Sequence, residues 1–252
     1  MKAIILAAGA GSRLDNITKN KPKPLVNIGK KSLLEHQITK LQKNGINDIT
    51  VIIGPYPEKY NFKDIEYVID KNYNEHDQFG SLLLSKSLMT EEIIILFADI
   101  IFQENILQQI LNSKNDISIS LDLEWKESYK QRTNNDMSNA DVSVITNNQI
   151  LNIGRNSEFP KSPVTAEFLG IIKISNSFIK DFKNNIESFE NRIQKPQNHL
   201  SIKNSKVIDF LSFLLSNGIK INPLFISGKW AEIDTEQDLE FANQKFQNSI
   251  SD

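Results

Sequence analysis

The sequence predicts an α/β fold: a Rossmann-like, doubly wound mixed sheet carrying a small antiparallel extension. Three observations predict it. Short β-rich apolar runs alternate with segments of helical period through the first half of the chain. The first of these runs ends in a glycine-rich turn, and after Asp122 the alternation gives way to a hairpin-like pattern.

Ala3 to Leu6 is a short continuous apolar run, as expected of a strand buried on both faces of a parallel sheet. Ser32-Leu33-Leu34-Glu35 has capping-box spacing, Leu33, Leu34, Ile38 and Leu41 follow helical period, and Gly45 stands at a C′ position, so a helix of about three turns is predicted. Further strands are predicted at Asp48 to Gly54, Ile65 to Ile69, Ile93 to Phe97 and Ile117 to Leu121, with helical segments near Gly80 to Leu88 and Glu104 to Leu111. Asp141 to Thr146 and Gln149 to Ile153 flank the turn pair Asn147-Asn148, and Ala166 to Ile174 adds another strand. Helices are predicted at Ser175 to Phe189 and at Ser205 to Ser216, the second closed by Gly218. A strand at Lys220 to Ile226 and a helix from Thr235 to Phe246 follow, while Arg192 to Asn204, with Pro196 and no period, reads as a mobile loop.

Composition excludes several function classes. The 252 residues are 39% hydrophobic, enough for a substantial core. Acidic and basic residues are interspersed with a formal net charge of −2, so no basic face for nucleic acid is present and any phosphate binding must be local. The absence of cysteine removes a disulfide framework, a thiolate zinc site and a cysteine nucleophile at once. Met1 to Gly9 is too short an apolar stretch for a signal segment and no run approaches a membrane span, which predicts a cytoplasmic protein with no membrane association.

Leu6-Ala7-Ala8-Gly9-Ala10-Gly11-Ser12-Arg13 places small residues directly after a buried strand, where backbone N–H groups could meet a polyphosphate and Arg13 would add charge. The same residues equally suit an ordinary strand-to-helix turn. A dinucleotide fingerprint fails, because Leu14 replaces the third glycine and no acidic residue ends the run Val51 to Gly54. In Lys21-Pro22-Lys23-Pro24-Leu25 the two prolines hold the backbone extended and set Lys23 at a fixed distance from the loop, unless it is one more solvated lysine.

Together the strand, L-A-A-G-x-G-S-R-L, Thr18 and P-K-P-L resemble the signature of the nucleotidyltransferases that activate sugar phosphates, phosphocholine and phosphonates. The resemblance runs from Met1 to about Ala242. It implies a single domain over residues 1–252, with a nucleotide-binding half at 1–122 and an acceptor-binding half with the closing metal motif at 123–252. Leu6, Ala7, Ala8, Gly9, Ala10, Gly11 and Ser12 would then bind nucleotide, with Lys23 and Arg13 as the catalytic cations. The family's metal aspartate would be Asp99 in Phe97-Ala98-Asp99-Ile100, where alanine replaces the usual glycine. Its second would be Asp234, since Trp230 to Leu239 matches W-x-E-I-D-T-x-x-D-L almost fully. On their own, Asp99 suits a strand-end turn and Asp234 an N-cap. Magnesium (Mg²⁺) is the expected cofactor, because carboxylate and triphosphate oxygens suit a hard octahedral cation and the three histidines are scattered. The implied chemistry is in-line attack of an anionic acceptor oxygen on the α-phosphorus, with no covalent intermediate.

Asn74 to Leu82, rich in polar residues and ending in Ser-Leu, looks like the cytidylyltransferase branch, which implies CTP as donor and Ser81 as the base-reading residue, Gln78 standing where Asn is expected. For the acceptor, Asp122 and Glu124 beside Trp125, Tyr129 and Arg132 would suit a cationic amine or choline group, although Trp125 and Tyr129 also fit the inner face of a short helix. Glu167 and Gly170 resemble the family's acceptor-contacting strand, and Arg132 could meet the carboxylate of an amino-acid phosphate such as phosphoglutamine. A hexose-1-phosphate nucleotidyltransferase using UTP or dTTP is the nearest rival. A nucleotide-sensing domain without activity would lack the carboxylates and the lysine. Homodimer formation is left open.

Overall fold

The computed structural model describes residues 1–9, 11, 14–129, 137–161, 164–195 and 199–246. Strand β1 (Lys2–Ala7) leads through the short helix α1 (Asp15–Thr18) to a small hairpin, β2 (Asn27–Ile28) and β3 (Lys31–Ser32), and then to helix α2 (Leu33–Lys43). Next come β4 (Asp48–Ile53), β5 (Glu66–Ile69), α3 (Gln78–Leu83), β6 (Ile93–Phe97), β7 (Ile100–Phe102), α4 (Glu104–Leu111) and β8 (Ile117–Asp122). A short helix, α5 (Trp125–Tyr129), precedes β9 (Asp141–Thr146), β10 (Gln149–Arg155) and β11 (Thr165–Ile174). The chain ends with α6 (Ile179–Ile193), α7 (Val207–Ser216), β12 (Asn222–Phe225), β13 (Trp230–Glu232) and α8 (Glu236–Phe246).

The main sheet is mixed, as the sequence predicts. Its order is β10-β9-β11-β6-β1-β4-β5, with β8 paired to β11 and β12 to β8. Strand β1 runs parallel to both β4 and β6. The chain therefore leaves β1 toward β4 and β5, then returns to lay β6 on the other side, and the carboxyl ends of β1 and β6 form a topological switch point. Side chains of β1 alternate between two cores. Ile4 and Leu6 pack with Phe79, Phe182 and Phe210, whereas Ala3 and Ile5 pack with Leu34, Leu41, Leu107 and Ile110. Helices thus cover both faces: α3, α6 and α7 on one, α2 and α4 on the other.

The antiparallel extension is the β9-β10 hairpin, turned by Asn147 and Asn148, both at positive φ. It joins the sheet through β11, whose residues Thr165 to Glu167 pair with β9 while Ile171 to Ile174 pair with β6. The change of partner occurs at Gly170, where φ is +83° and a Cβ would lie 2.6 Å from the Phe97 ring.

Several predicted boundaries move. The helix expected from Gly80 starts at Gln78, capped by Asp77, and stops at Leu83 before a separate turn at Lys86–Leu88. The helix expected from Ser175 begins at Ile179 after a single 3-10 turn and runs on through Ile193, into the segment predicted to be loop. Pro223 is tolerated in β12 because that strand pairs on one side only, with β8. Among the described residues no helix is long and apolar enough to cross a membrane.

Candidate active site

The switch point gathers the predicted loop, lysine and aspartates. Leu6, Ala7 and Ala8 are buried as β1 ends, and Gly9 is exposed. Thr18 holds the loop beyond, its hydroxyl donating to the carbonyls of Gly11 and Leu14 at 3.0 Å each. Ala10, Ser12 and Arg13 lie outside the described residues, as does Arg132.

Lys23 is not a solvated lysine. Pro22 is extended, but Lys23–Leu25 is a 3-10 turn rather than the extended segment predicted, since the φ imposed by Pro24 also suits such a turn. The turn buries Lys23, whose Nζ donates to Asp234 Oδ1 at 2.6 Å and to Asp99 Oδ2 at 3.0 Å. Burial opposes its charge, but Asp99, Asp234 and Glu232 outweigh that effect and raise its pKa above the usual lysine value.

Asp99 sits in the turn between β6 and β7. Gln37, buried on α2, spans this turn by donating 2.8 Å bonds from Nε2 to the carbonyls of both Phe97 and Ile100. The late motif arrives through a ribbon separate from the main sheet. Strand β13 pairs antiparallel with β7, Glu232 opposite Ile100, and Ile233 N–H donates to Asp99 O at 2.9 Å. Asp234 is not the N-cap of α8. That task falls to Thr235 and Asp238: Thr235 Oγ1 accepts from Asp238 N–H at 3.2 Å, and Asp238 Oδ2 accepts from Thr235 N–H at 2.9 Å. The Asp234 carboxylate turns instead toward Lys23.

Glu232 is a site residue that sequence reasoning missed, although it stands inside the matched motif. One oxygen from each of Asp99, Glu232 and Asp234 lies within 4.8 Å of the others. Burial and the two neighbouring aspartates drive the Glu232 pKa well above the usual carboxylate value, against the pull of Lys23. Asp99 Oδ1 is buried with no hydrogen-bond partner among the described residues. Three hard oxygen donors, one of them orphaned, fit Mg²⁺.

Two cavities meet at this cluster. One, about 230 Å³, is lined by Ala8, Gly9, Gly11, Lys23, Asp99 and Asp234, and also by Tyr73, His76, Gln78 and Ser81. The other, about 800 Å³, is lined by Asp122, Glu124, Glu127, Glu167, Glu232 and Asp238, with Lys245 as its one basic side chain among the described residues.

The aromatic pair does not line the second cavity. Trp125 is 0% exposed, its Nε1 donates to Thr165 O at 3.1 Å, and Tyr129 packs edge-on against it with centroids 5.4 Å apart. With no open face, Trp125 is helix packing, and the expected cation–π contact is corrected. Tyr129 works indirectly, its hydroxyl donating to Glu167 Oε1 at 2.7 Å. Asp122 Oδ2 accepts from Trp230 Nε1 at 2.7 Å. Gly170 lines neither cavity; its role is the backbone conformation and the space for Phe97.

The family model described as nucleotidyl transferase matches residues 2–128. A CTP:phosphoglutamine cytidylyltransferase from Campylobacter jejuni is 29% identical over 97% of this chain and 100% of its own length. A bifunctional GlmU protein from Methanococcus maripaludis is 30% identical over 99% of this chain, which spans 55% of that longer protein. The solved CTP:phosphocholine cytidylyltransferase of Streptococcus pneumoniae superposes with a TM-score of 0.72 at 21% identity, covering 96% of this chain and 97% of the other, a likeness of fold.

Proposed function

The chain belongs to the nucleotidyl transferase family, and from that premise we propose that it is an Mg²⁺-dependent cytidylyltransferase. It transfers CMP from CTP to a small phosphorylated or phosphonate acceptor bearing an ammonium group, and releases pyrophosphate. The observation that carries this reading is the buried ammonium of Lys23 held at 2.6 and 3.0 Å by two carboxylates beside the glycine loop.

An acceptor phosphate or phosphonate is already anionic at neutral pH, so the reaction needs positioning and charge neutralisation rather than a general base. Lys23 neutralises the α-phosphate and the incoming oxygen, and the loop amides orient the triphosphate. Asp99, Glu232 and Asp234 would hold Mg²⁺, which supplies Lewis-acid stabilisation of phosphate oxygens when bound. Gln37 fixes the backbone that carries Asp99, and Asp238 fixes the start of α8 behind Asp234.

The donor base is supported by the similarity to the Campylobacter jejuni cytidylyltransferase. The acceptor class is supported by the second cavity, whose described lining includes the carboxylates of Asp122 and Glu124, groups that favour a cation over the uncharged ring of a hexose. Phosphocholine, aminoethylphosphonate and phosphoglutamine all carry that cation. The similarity to a bifunctional sugar-1-phosphate nucleotidylyltransferase/acetyltransferase from Sulfurisphaera tokodaii, 41% identical over 40% of this chain, keeps that activity as one rival. Pyrophosphate release across four NTPs, with these acceptors and glucose-1-phosphate, separates them. Turnover of glucose-1-phosphate with UTP or dTTP, and none of CTP with the amines, would overturn the proposal.

A further inference from the structure

We propose that buried Asp70 selects the nucleotide by ordering the polar hydrogens of Ser81 and His76, so that both groups present lone pairs to the base. The inference rests on the CTP reading and explains how the first cavity would prefer an exocyclic amine to a carbonyl.

Asp70 directly follows β5 and is 1% exposed. Its backbone N–H donates to Ile53 O at 2.8 Å, which fixes the residue at the carboxyl edge of the sheet. Its Oδ2 receives two bonds, from Ser81 Oγ at 2.9 Å and from His76 Nδ1 at 2.9 Å, while Oδ1 receives Asn72 N–H at 3.0 Å. An ionised carboxylate only accepts, so the Ser81 hydroxyl proton and the His76 Nδ1 proton both point at Asp70. What remains of Ser81 Oγ is lone pairs. The ring nitrogen left to His76 is Nε2, an acceptor in the neutral tautomer that an Nδ1–H bond selects.

Both side chains line the same cavity as Lys23 and Asp99. The site is built to hold them. A Cβ on Gly80 would come within 2.7 Å of His76 Cβ and Cγ, so the imidazole rests directly on that glycine and any side chain there would displace it. Gln78, the neighbouring amide that could have read a base, is partly committed elsewhere: its Oε1 accepts Val207 N–H at 3.3 Å. Two acceptors fixed by one buried anion match the 4-amino group of cytosine, a donor. They oppose the 4-carbonyl of uracil, which would leave them unpaired and set lone pair against lone pair. A flexible serine could turn its hydroxyl to suit either base; Asp70 removes that freedom.

The test is equilibrium binding of CTP and of UTP, each with Mg²⁺, at pH 8. Wild type should bind CTP at least about tenfold more tightly than UTP. Asp70→Asn, whose amide can donate to Ser81 and release its hydroxyl proton, should bring the two affinities to within about threefold, by weakening CTP and not UTP. General loosening of the pocket would weaken both nucleotides alike and leave the ratio unchanged. Should Asp70→Asn fail to fold, Ser81→Ala and His76→Phe decide, the latter keeping a ring on Gly80 while removing Nε2; each should lower the ratio. Folded variants that all keep the wild-type ratio would overturn the role of Asp70 while leaving the CTP reading intact. A wild-type ratio near one would instead sink the CTP reading itself.

Discussion

Replacing Lys23 by methionine tests the centre of the mechanism, because it removes the charge while keeping most of the side-chain volume. The ammonium lies 2.6 Å from Asp234 and 3.0 Å from Asp99, and three carboxylates have oxygens within 4.8 Å of one another. Removing one partner of a buried ion pair typically costs about 3–5 kcal/mol, because the remaining charge is left uncompensated. The Lys23 pKa is raised above 10.5, so its contribution is fully present below that value and lost only as pH climbs through the folded pKa. A urea titration at pH 7.5 in EDTA should therefore show the whole deficit. Saturating Mg²⁺ should restore more stability to the variant than it adds to wild type, since in the variant the ion supplies the positive charge that the ammonium no longer gives the cluster. Turnover should still fall at least ~100-fold, equivalent to about 2.7 kcal/mol of transition-state stabilisation, because the metal does not replace an ammonium at the transferring phosphoryl group. Unchanged stability in EDTA, or activity within about threefold of wild type, would refute this reasoning.

Three further outcomes are expected. Chelation with EDTA should abolish pyrophosphate release and Mg²⁺ restore it, with Asp234→Asn raising the Mg²⁺ concentration at half-maximal rate; full turnover in chelator would make the carboxylates structural. Burial lowers the His36 pKa below 6.5, with Lys40 and Lys31 adding to it against the bond to Ile28 O. That share of stability is present above about pH 6.5 and lost as pH falls through the folded pKa, so His36→Gln should flatten the decline in urea midpoint between pH 7 and 5, and parallel curves would count against it. Trp125→Ala should destabilise by about 3–5 kcal/mol while leaving acceptor KM near wild type, whereas Glu124→Gln in the second cavity should raise KM for an ammonium acceptor with little loss of stability. The opposite pattern in these two variants would return the aromatic ring to the acceptor.

Much of the sheet was legible because its strands are buried on both faces, and continuous apolar runs such as Ile93–Phe97 admit few other readings. The Asn147-Asn148 turn was legible for a different reason: Asn tolerates the left-handed backbone that both residues adopt. What escaped depends on partners far along the chain. Ile100–Phe102 and Trp230–Glu232 are three residues each, too short for any periodicity, and become strands only by pairing with one another. Glu232 had a usable signal, since E-I-D in an extended segment puts both carboxylates on one face. Gln37 and Asp70 had none; a buried glutamine on an amphipathic helix and an aspartate after a strand acquire meaning only from the carbonyls, hydroxyl and imidazole that the fold brings to them. Trp125 and Tyr129 had a signal that pointed two ways, because spacing of four cannot say whether the shared face meets core or ligand.

The β7-β13 ribbon explains how two distant parts of the chain make one cluster of lysine and carboxylates. Antiparallel pairing fixes register, so Glu232 lies opposite Ile100, Ile233 meets Asp99 just past the ribbon's end, and Asp234 follows one residue further on. The backbone bond from Ile233 to Asp99 closes that end at 2.9 Å. At the other end Trp230 donates to Asp122, the last residue of β8 and part of the acceptor-side cavity. A single three-residue strand thus touches both cavities, the first through the turn that carries Asp99 and the second through Asp122. Gln37 clamps the same turn from the helical layer beneath. Misplacing this ribbon by one residue would reverse the faces of Glu232 and Ile233, putting an apolar side chain among the aspartates and a carboxylate into the cluster with Leu14 and Ile28. The hydrophobic seat of Ile233, 0% exposed, is therefore what holds the clustered carboxylates in register.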